Sequence, residues 1–427
     1  MVTSPPLVAR RPVVGDDRSM PITPASVAGL PDGLLSSARA LQPRTVALRR
    51  ELHRTPELGL ALPRTRDAVL HALADLPVSV RTSRSCGSVV AVLEGGRSGP
   101  TVLLRGDMDA LPLHEDTGLD FASGVDGAMH ACGHDTHTAM LASAARLLAG
   151  YRDRIAGRVL LAFQPGEEGF HGARRMIEEG LLDDGPELAY ALHISSTVPS
   201  GQLHHRTGPI MAAADRVRVT VTGRGGHASA PQDACDPVPP AAAMVGGLQT
   251  VLTRRVGPHQ PAVLTVARIE AGTTDNVIPE TAQLTATLRT LSEPVRALLH
   301  REITEHCRHL AAAYGCTAEV EIEPGYPVAV NDPQATSSLV RVGEKVLGRH
   351  ACVAMTDPLM GAEDFAYVLA RVPGSLAFLG ARPAGVAPGD AAPNHSNRVV
   401  FDEAAFPAGV AVYAGLALAA LTAPERP

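Results

Sequence analysis

Arg216-Val217-Arg218-Val219-Thr220-Val221 decides how this chain folds. Polar and apolar side chains alternate there with period two, as in a strand with one face buried and one in solvent. Upstream the apolar runs are continuous: Val159 to Phe163 and Leu188 to Ile194 read as buried strands. Downstream the pattern predicts a helix from Pro239 to Arg255 and two alternating strands, Val263 to Ile269 and Gln283 to Arg289. A helix from Pro294 to Tyr314 and a strand from Ala318 to Ile322 follow. The order β-α-β-β-α-β is the ferredoxin-like arrangement. At Gln334 the earlier α/β character resumes, so a small α+β domain (212–324) is expected inside a larger α/β domain built from 31–211 and 325–427.

The larger domain is read from its own rhythm. Leu34 to Leu76 has helical spacing interrupted by Pro43, Pro56 and Pro63, which predicts two helices and a loop. Val89 to Leu93 and Thr101 to Arg105 flank EGGRSGP, a hairpin-like signal. Helices at Thr136 to Leu148 and Ala173 to Glu179 alternate with the strands, which argues for a largely parallel sheet flanked by helices.

Composition bounds the function. The 427 residues are 45% hydrophobic and 19% charged with net charge −6, enough for a real core and too acidic for a nucleic-acid or anionic-membrane partner. No apolar run reaches the roughly 18 residues of a membrane span; Val410 to Leu421 reads as a terminal packing helix. Six scattered cysteines without CxxC form no disulfide framework. The first 30 residues hold Pro, Arg and Ser without an apolar core segment, so a mobile tail and a cytoplasmic setting are expected.

Chemistry collects where strands end. Asp107 and Asp109 follow one apolar strand, where open α/β sheets place ligands, although a helix cap or polar turn has the same look. His130-Ala131-Cys132-Gly133-His134-Asp135-Thr136-His137 packs five donors into eight residues. Imidazole and thiolate favour zinc-like ions; the competing readings are a helix cap, which explains one residue, or a Cys-His nucleophile pair. Asp109 or Asp135 could support a ligand from behind. Gln164-Pro165-Gly166-Glu167-Glu168 follows the next buried strand, where one glutamate can bind a metal and its neighbour face water. With His193 and His395 the donor set becomes Cys132, His134, Glu168, His193 and His395, more than one tetrahedral site needs, and two ions are expected. His53, His71, His114, His300, His306 and His309 have no evident partners in sequence.

Taken in order, RGDMDALP, HACGHDTH, QPGEE, GGHASAP, DNVIPE and GAEDF resemble the dinuclear metallo-amidohydrolases and metallopeptidases that include aminoacylases and carboxypeptidase G. HACGHD points to the branch of hippurate hydrolases, auxin-conjugate hydrolases and bacterial N-acyl-amino-acid amidohydrolases. The resemblance spans roughly residues 35 to 420. It implies two divalent ions per subunit (zinc first; manganese, cobalt or nickel also suit), with Cys132 as bridging ligand beside His134, Glu168, His193 and His395. Glu167 matches the general base, Asp109 the supporting acid, and Asp107 a position that is a histidine ligand in other branches. His227 matches the histidine that reaches the substrate carbonyl, commonly in a partner subunit's site, while Asn276 and Arg289 match substrate-oxygen binders. The glycines around Gly361 match a pocket-lining loop. Two segments depart from the pattern: Pro231-Gln232 replaces Pro-His, and Ser195 to Pro199 replaces an aromatic-Pro segment near the metals.

The implied enzyme is a homodimer, paired through an inserted lid, that hydrolyses the amide of N-acyl amino acids or similar small conjugates. A small-peptide hydrolase using the same site is the nearest alternative. A non-catalytic binding relative would have no need of Glu167.

Overall fold

The computed structural model describes residues 27–422; the expected N-terminal tail lies almost wholly outside them. The chain enters through two helices, α1 (Leu34–Arg54) and α2 (Pro63–Leu73), as the proline spacing suggests. Pro43 does not interrupt α1, which runs straight through it.

Six strands follow: β1 (Val78–Thr82), β2 (Val89–Glu94), β3 (Arg97–Asp107), β4 (Ala156–Gln164), β5 (Leu188–Pro199) and β6 (Leu203–His205). Helix α3 (His134–Ala149) joins β3 to β4, and α4 (Gly172–Glu178) joins β4 to β5. The predicted β2–β3 hairpin is absent. Strand β4 lies between the two, antiparallel to β2 and parallel to β3. The glycines of the connection let it cross the start of β4 rather than turn back: a Cβ on Gly99 would sit 2.4 Å from the Ala156 carbonyl oxygen. The real hairpin is β1–β2.

The chain then builds a second sheet from β7 (Ala213–Thr222), β8 (Ala262–Ala271), β9 (Thr281–Thr290) and β10 (Thr317–Pro324), with helices α5 (Val238–Arg255) and α6 (Glu293–Ala313). Its order is β8-β9-β7-β10 and every pairing is antiparallel, which is ferredoxin-like topology. The alternation read in the sequence is the burial pattern of β7, in which Val217, Val219 and Val221 face α5 and α6 while Arg216 and Arg218 face outward.

On its return the chain adds α7 (Pro333–Leu347), β11 (Cys352–Ala354), β12 (Gly374–Arg382) and α8 (Phe406–Leu421). The large sheet has the order β1-β2-β4-β3-β5-β12-β6-β11. Its four central strands, β4, β3, β5 and β12, are parallel, so their C-terminal ends share one edge. One face packs on α1, α3, α7 and α8; the other on α4 and the segment Phe365–Val372. The segment Glu403–Leu421 is apolar enough to cross a membrane by length and composition, but 89% of it is buried inside the protein. Those apolar side chains are core.

Candidate metal centre

The C-terminal edge of the parallel strands gathers the donors. Cys132 ends the loop before α3, and Gly133, at φ 90°, reverses the chain so that His134 can open the helix. A Cβ at Gly133 would lie 2.4 Å from Ile194 Cγ2, so only glycine fits. Glu167 and Glu168 follow β4, His193 lies within β5, and His395 comes from the loop after β12 with a left-handed φ of 70°.

Cys132 stands in the middle. Its Sγ is 3.4 Å from His193 Nε2 and 3.2 Å from His395 Nε2. His395 Nε2 is also 3.3 Å from Glu168 Oε1. The donors form two groups that share the sulfur, Cys132–His134–His193 and Cys132–Glu168–His395, each with its ligand atoms within 4.8 Å of one another. One buried atom of this cluster, His134 Nε2, lacks any hydrogen-bond partner. A polar atom orphaned in a buried cluster of soft and imidazole donors fits bound metal ions.

Neighbouring groups aim these ligands. The Asp109 carbonyl oxygen accepts from His134 Nδ1 at 2.8 Å, leaving Nε2 with its lone pair toward the cluster. The Ile194 carbonyl does the same for His193 Nδ1 at 2.8 Å. The Asp109 carboxylate accepts the N–H groups of Glu167 and Glu168 at 2.9 and 3.0 Å, pinning the whole turn. Tyr326 grips the same turn from the returning chain: its hydroxyl donates to the Glu167 carbonyl and accepts the Gly169 N–H.

Behind the ligands lies a buried charge network. Arg105 donates to Asp107, Gln164, Glu363 and Asp364. Asp107 is fully buried, bonded to Arg105 and His137, with Oδ2 3.5 Å from His134 Nε2. His130 is buried with neither ring nitrogen hydrogen-bonded, and burial pushes its pKa down to about 3. Burial, then Glu363, Glu168 and Asp364, hold the Glu167 carboxyl well above its ordinary range. Hydrogen bonds to Cys132 and Glu168 push His395 up to about 10. At His134 burial opposes protonation, but Asp107 and Cys132 outweigh it and the net shift is upward. While burial and then His137 push His193 well below its ordinary range, acidic groups thus draw His134 and His395 toward the cationic form. That is the charge a divalent cation would supply.

A cavity of about 1100 Å³ opens over this edge. Its floor includes Cys132, Glu167, Glu168, His193 and His395, and its roof is the outward face of the second sheet. Arg289 on β9 reaches it, half-buried, and among the described residues makes no ion pair. His227 and Asn276 are not in this cavity. They sit on the far loops of the second sheet, where His227 is exposed, bonds Ser229 at 2.8 Å and pairs in a short ladder with Val277. Gly361 lines the cavity beside Glu363.

The model of peptidase family M20/M25/M40 matches residues 103–419. The chain belongs to that family. It is 38% identical over 393 residues to thermostable carboxypeptidase 1 of Saccharolobus solfataricus, covering 91% of this chain and 98% of that one. It is 39% identical over 342 residues to N-acetyl-L-cysteine deacetylase of Bacillus subtilis, covering 80% and 81%. The crystal structure of a dinuclear metal-binding M20 peptidase from Bacillus subtilis superposes with a TM-score of 0.77 at 30% identity, over 90% of this chain and 99% of that one. This M20 protein is an enzyme, a metal-binding amide hydrolase, as the motif resemblance implies.

Several histidines read as partnerless are partnered. His53 lies between Asp135 (2.7 Å) and Glu115 (3.2 Å), with Arg49 on the same aspartate; His300 bonds Asp215 and His114 bonds Asp126. Asp135 therefore serves α1 rather than a ligand. Arg105, Glu363, Asp364 and Tyr326 had no assigned role in the sequence. Arg105 offered a signal, a cation ending an apolar strand; Tyr326 offered none, because its partners lie 157 and 159 positions away.

Proposed function

We propose that this M20 hydrolase cleaves the amide of N-acyl amino acids or closely related small conjugates. The observation that carries the reading is one cavity with a cysteine-centred donor cluster at its floor and, in its roof, an arginine without an ion-pair partner. Arg289 holds the carboxylate of the amino-acid half through its fork of donors. Glu167 takes the proton of the attacking water and hands it to the departing amine. Asp109 and Tyr326 keep Glu167 and Glu168 in place. The chemistry supplied by bound ions is Lewis acidity, which acidifies water and stabilises developing charge. Cys132, His134, Glu168, His193 and His395 would hold two divalent ions, zinc foremost, with manganese, cobalt and nickel also suited to the donors.

The second sheet, residues 212–324, acts as a lid and pairing domain in a cytoplasmic homodimer. Exposed His227 and Asn276 support this, because they lie outside their own subunit's cavity; in the proposed dimer they would complete the partner's, with His227 steadying the oxyanion. A peptide substrate is the second reading, supported by the carboxypeptidase relative, since a dipeptide offers Arg289 the same carboxylate.

Metal-stripped protein assayed on N-acyl amino acids and dipeptides, with and without Zn²⁺, Mn²⁺ or Co²⁺, tests the proposal. Metal-restored turnover of acyl substrates is expected; turnover of dipeptides alone selects the second reading. Mixing inactive His227→Ala and Glu167→Gln proteins should regain activity if His227 works across subunits. A monomer by light scattering refutes the pairing.

A further inference from the structure

The second sheet holds a sulfur pair that the hydrolytic chemistry does not use. Cys235 and Cys316 are 81 positions apart, yet their Sγ atoms lie 3.2 Å from each other. Cys235 follows the short turn Pro231–Asp233, and Cys316 is the residue before β10. Each thiol also touches the other segment's backbone: Cys235 Sγ lies 3.7 Å from the Tyr314 carbonyl, and Cys316 Sγ 3.5 Å from the Asp236 carbonyl. Among the described residues no other two cysteines come within hydrogen-bonding reach.

A disulfide bond is about 2.0 Å long, so joining the pair needs an approach of roughly 1 Å. Both residues lie in connections between regular elements, where the backbone can give. Access is graded: Cys235 is partly exposed, whereas Cys316 is only 4% exposed.

We propose that Cys235 and Cys316 are a reversible disulfide site, oxidised by a low-molecular-weight disulfide such as oxidised glutathione. The Cys235 thiolate, the more accessible, attacks one glutathione sulfur and releases the first thiolate. Cys316 then loses its proton and attacks Cys235 Sγ in the mixed disulfide, releasing the second. The protein gives up two electrons and two protons, and the oxidant leaves as two molecules of reduced glutathione. In the resting pair, burial and the neighbouring Cys235 hold the Cys316 thiol up at about 11, which makes Cys316 the poorer first nucleophile.

The bond would reach the loop that carries His227. The main chain of Cys235 exchanges both hydrogen bonds with Arg224, each 2.8 Å, and Gly223 packs so closely that a Cβ would meet the Cys235 carbonyl oxygen at 2.0 Å. Oxidation therefore ties Gly223 to His227 to the base of β10. This inference stands without the proposed substrate, because it concerns thiols remote from the donor cluster.

The test uses the full chain with its metal, equilibrated in glutathione buffers, acid-quenched, alkylated and digested. Expected are loss of two of the six titratable thiols, a Cys235–Cys316 linked peptide reversed by dithiothreitol, and slower amide exchange over 223–235. Cys316→Ser, or Cys235→Ser should the buried position not tolerate change, should abolish both the link and the slowing. Six thiols persisting in strongly oxidising buffer, a mixed disulfide that never resolves, or a link to another cysteine would overturn the proposal. A linked peptide with unchanged exchange would overturn its hold on the His227 loop.

Discussion

The floor and the roof of the cavity are built to different standards of rigidity. On the floor three of the five candidate ligands are held by a second contact: His134 by the Asp109 carbonyl, His193 by the Ile194 carbonyl, and Glu168, with its turn, by Asp109 and Tyr326. In the roof Arg289 has one 3.3 Å bond to Thr287; outside the cavity, on a far loop of the same sheet, His227 lies in solvent and bonds Ser229. Groups that bear metal and move protons gain from fixed geometry. Groups that must admit and release substrate gain from freedom to move.

The sharpest break in that contrast is Glu167→Gln. It should lower kcat by about 10²–10⁴-fold while the metal content per subunit stays unchanged; near-normal turnover would remove Glu167 from the role of base. In the roof, Arg289→Met should raise KM roughly 10- to 100-fold for substrates with a free carboxylate and hardly at all for their amidated counterparts. Equal effects on both would show that Arg289 does not read the carboxylate.

Tyr326→Phe probes the floor's support. Losing one hydroxyl between the turn and the returning chain should cut kcat by about tenfold with KM and metal content nearly constant. A KM effect alone would place Tyr326 with the roof.

The smallest effect is on acid stability, where β7 meets the crossing into the second sheet. Burial would raise Asp215, but His300 and Arg296 win and hold its carboxyl down at about 2. A carboxylate held below its unfolded value stabilises the fold above about pH 4, and that contribution is lost as pH falls toward 2. Asp215→Asn should therefore flatten the acid-unfolding curve between those values and leave stability at neutral pH lower. An unchanged acid limb would mean that the Arg296 and His300 contacts contribute little.

How much was legible from sequence follows the same division. The candidate donors sit in short motifs near strand ends, and local chemistry singles out Cys132 and His134, with Glu168 once it is set beside them, from the sequence alone. The alternation in Arg216 to Val221 revealed the second sheet because exposure on one face writes itself into every second residue. Long-range crossings left no such trace. EGGRSGP looks like a hairpin because turn residues do not say which strand comes between; Tyr326 and Cys316 met their partners only through topology.

One consequence concerns synthesis. The four strands and two helices of the second sheet are contiguous in the chain, so that core can close as soon as Pro324 has emerged. The large sheet cannot. Its strand β12 and the helix α8 that covers β3 are made last, so until then β5 presents an open apolar edge. On the ribosome the nascent enzyme is a finished small body tethered to an unfinished large one. Its risk of aggregation falls in the final hundred or so residues of translation, where a chaperone would matter most.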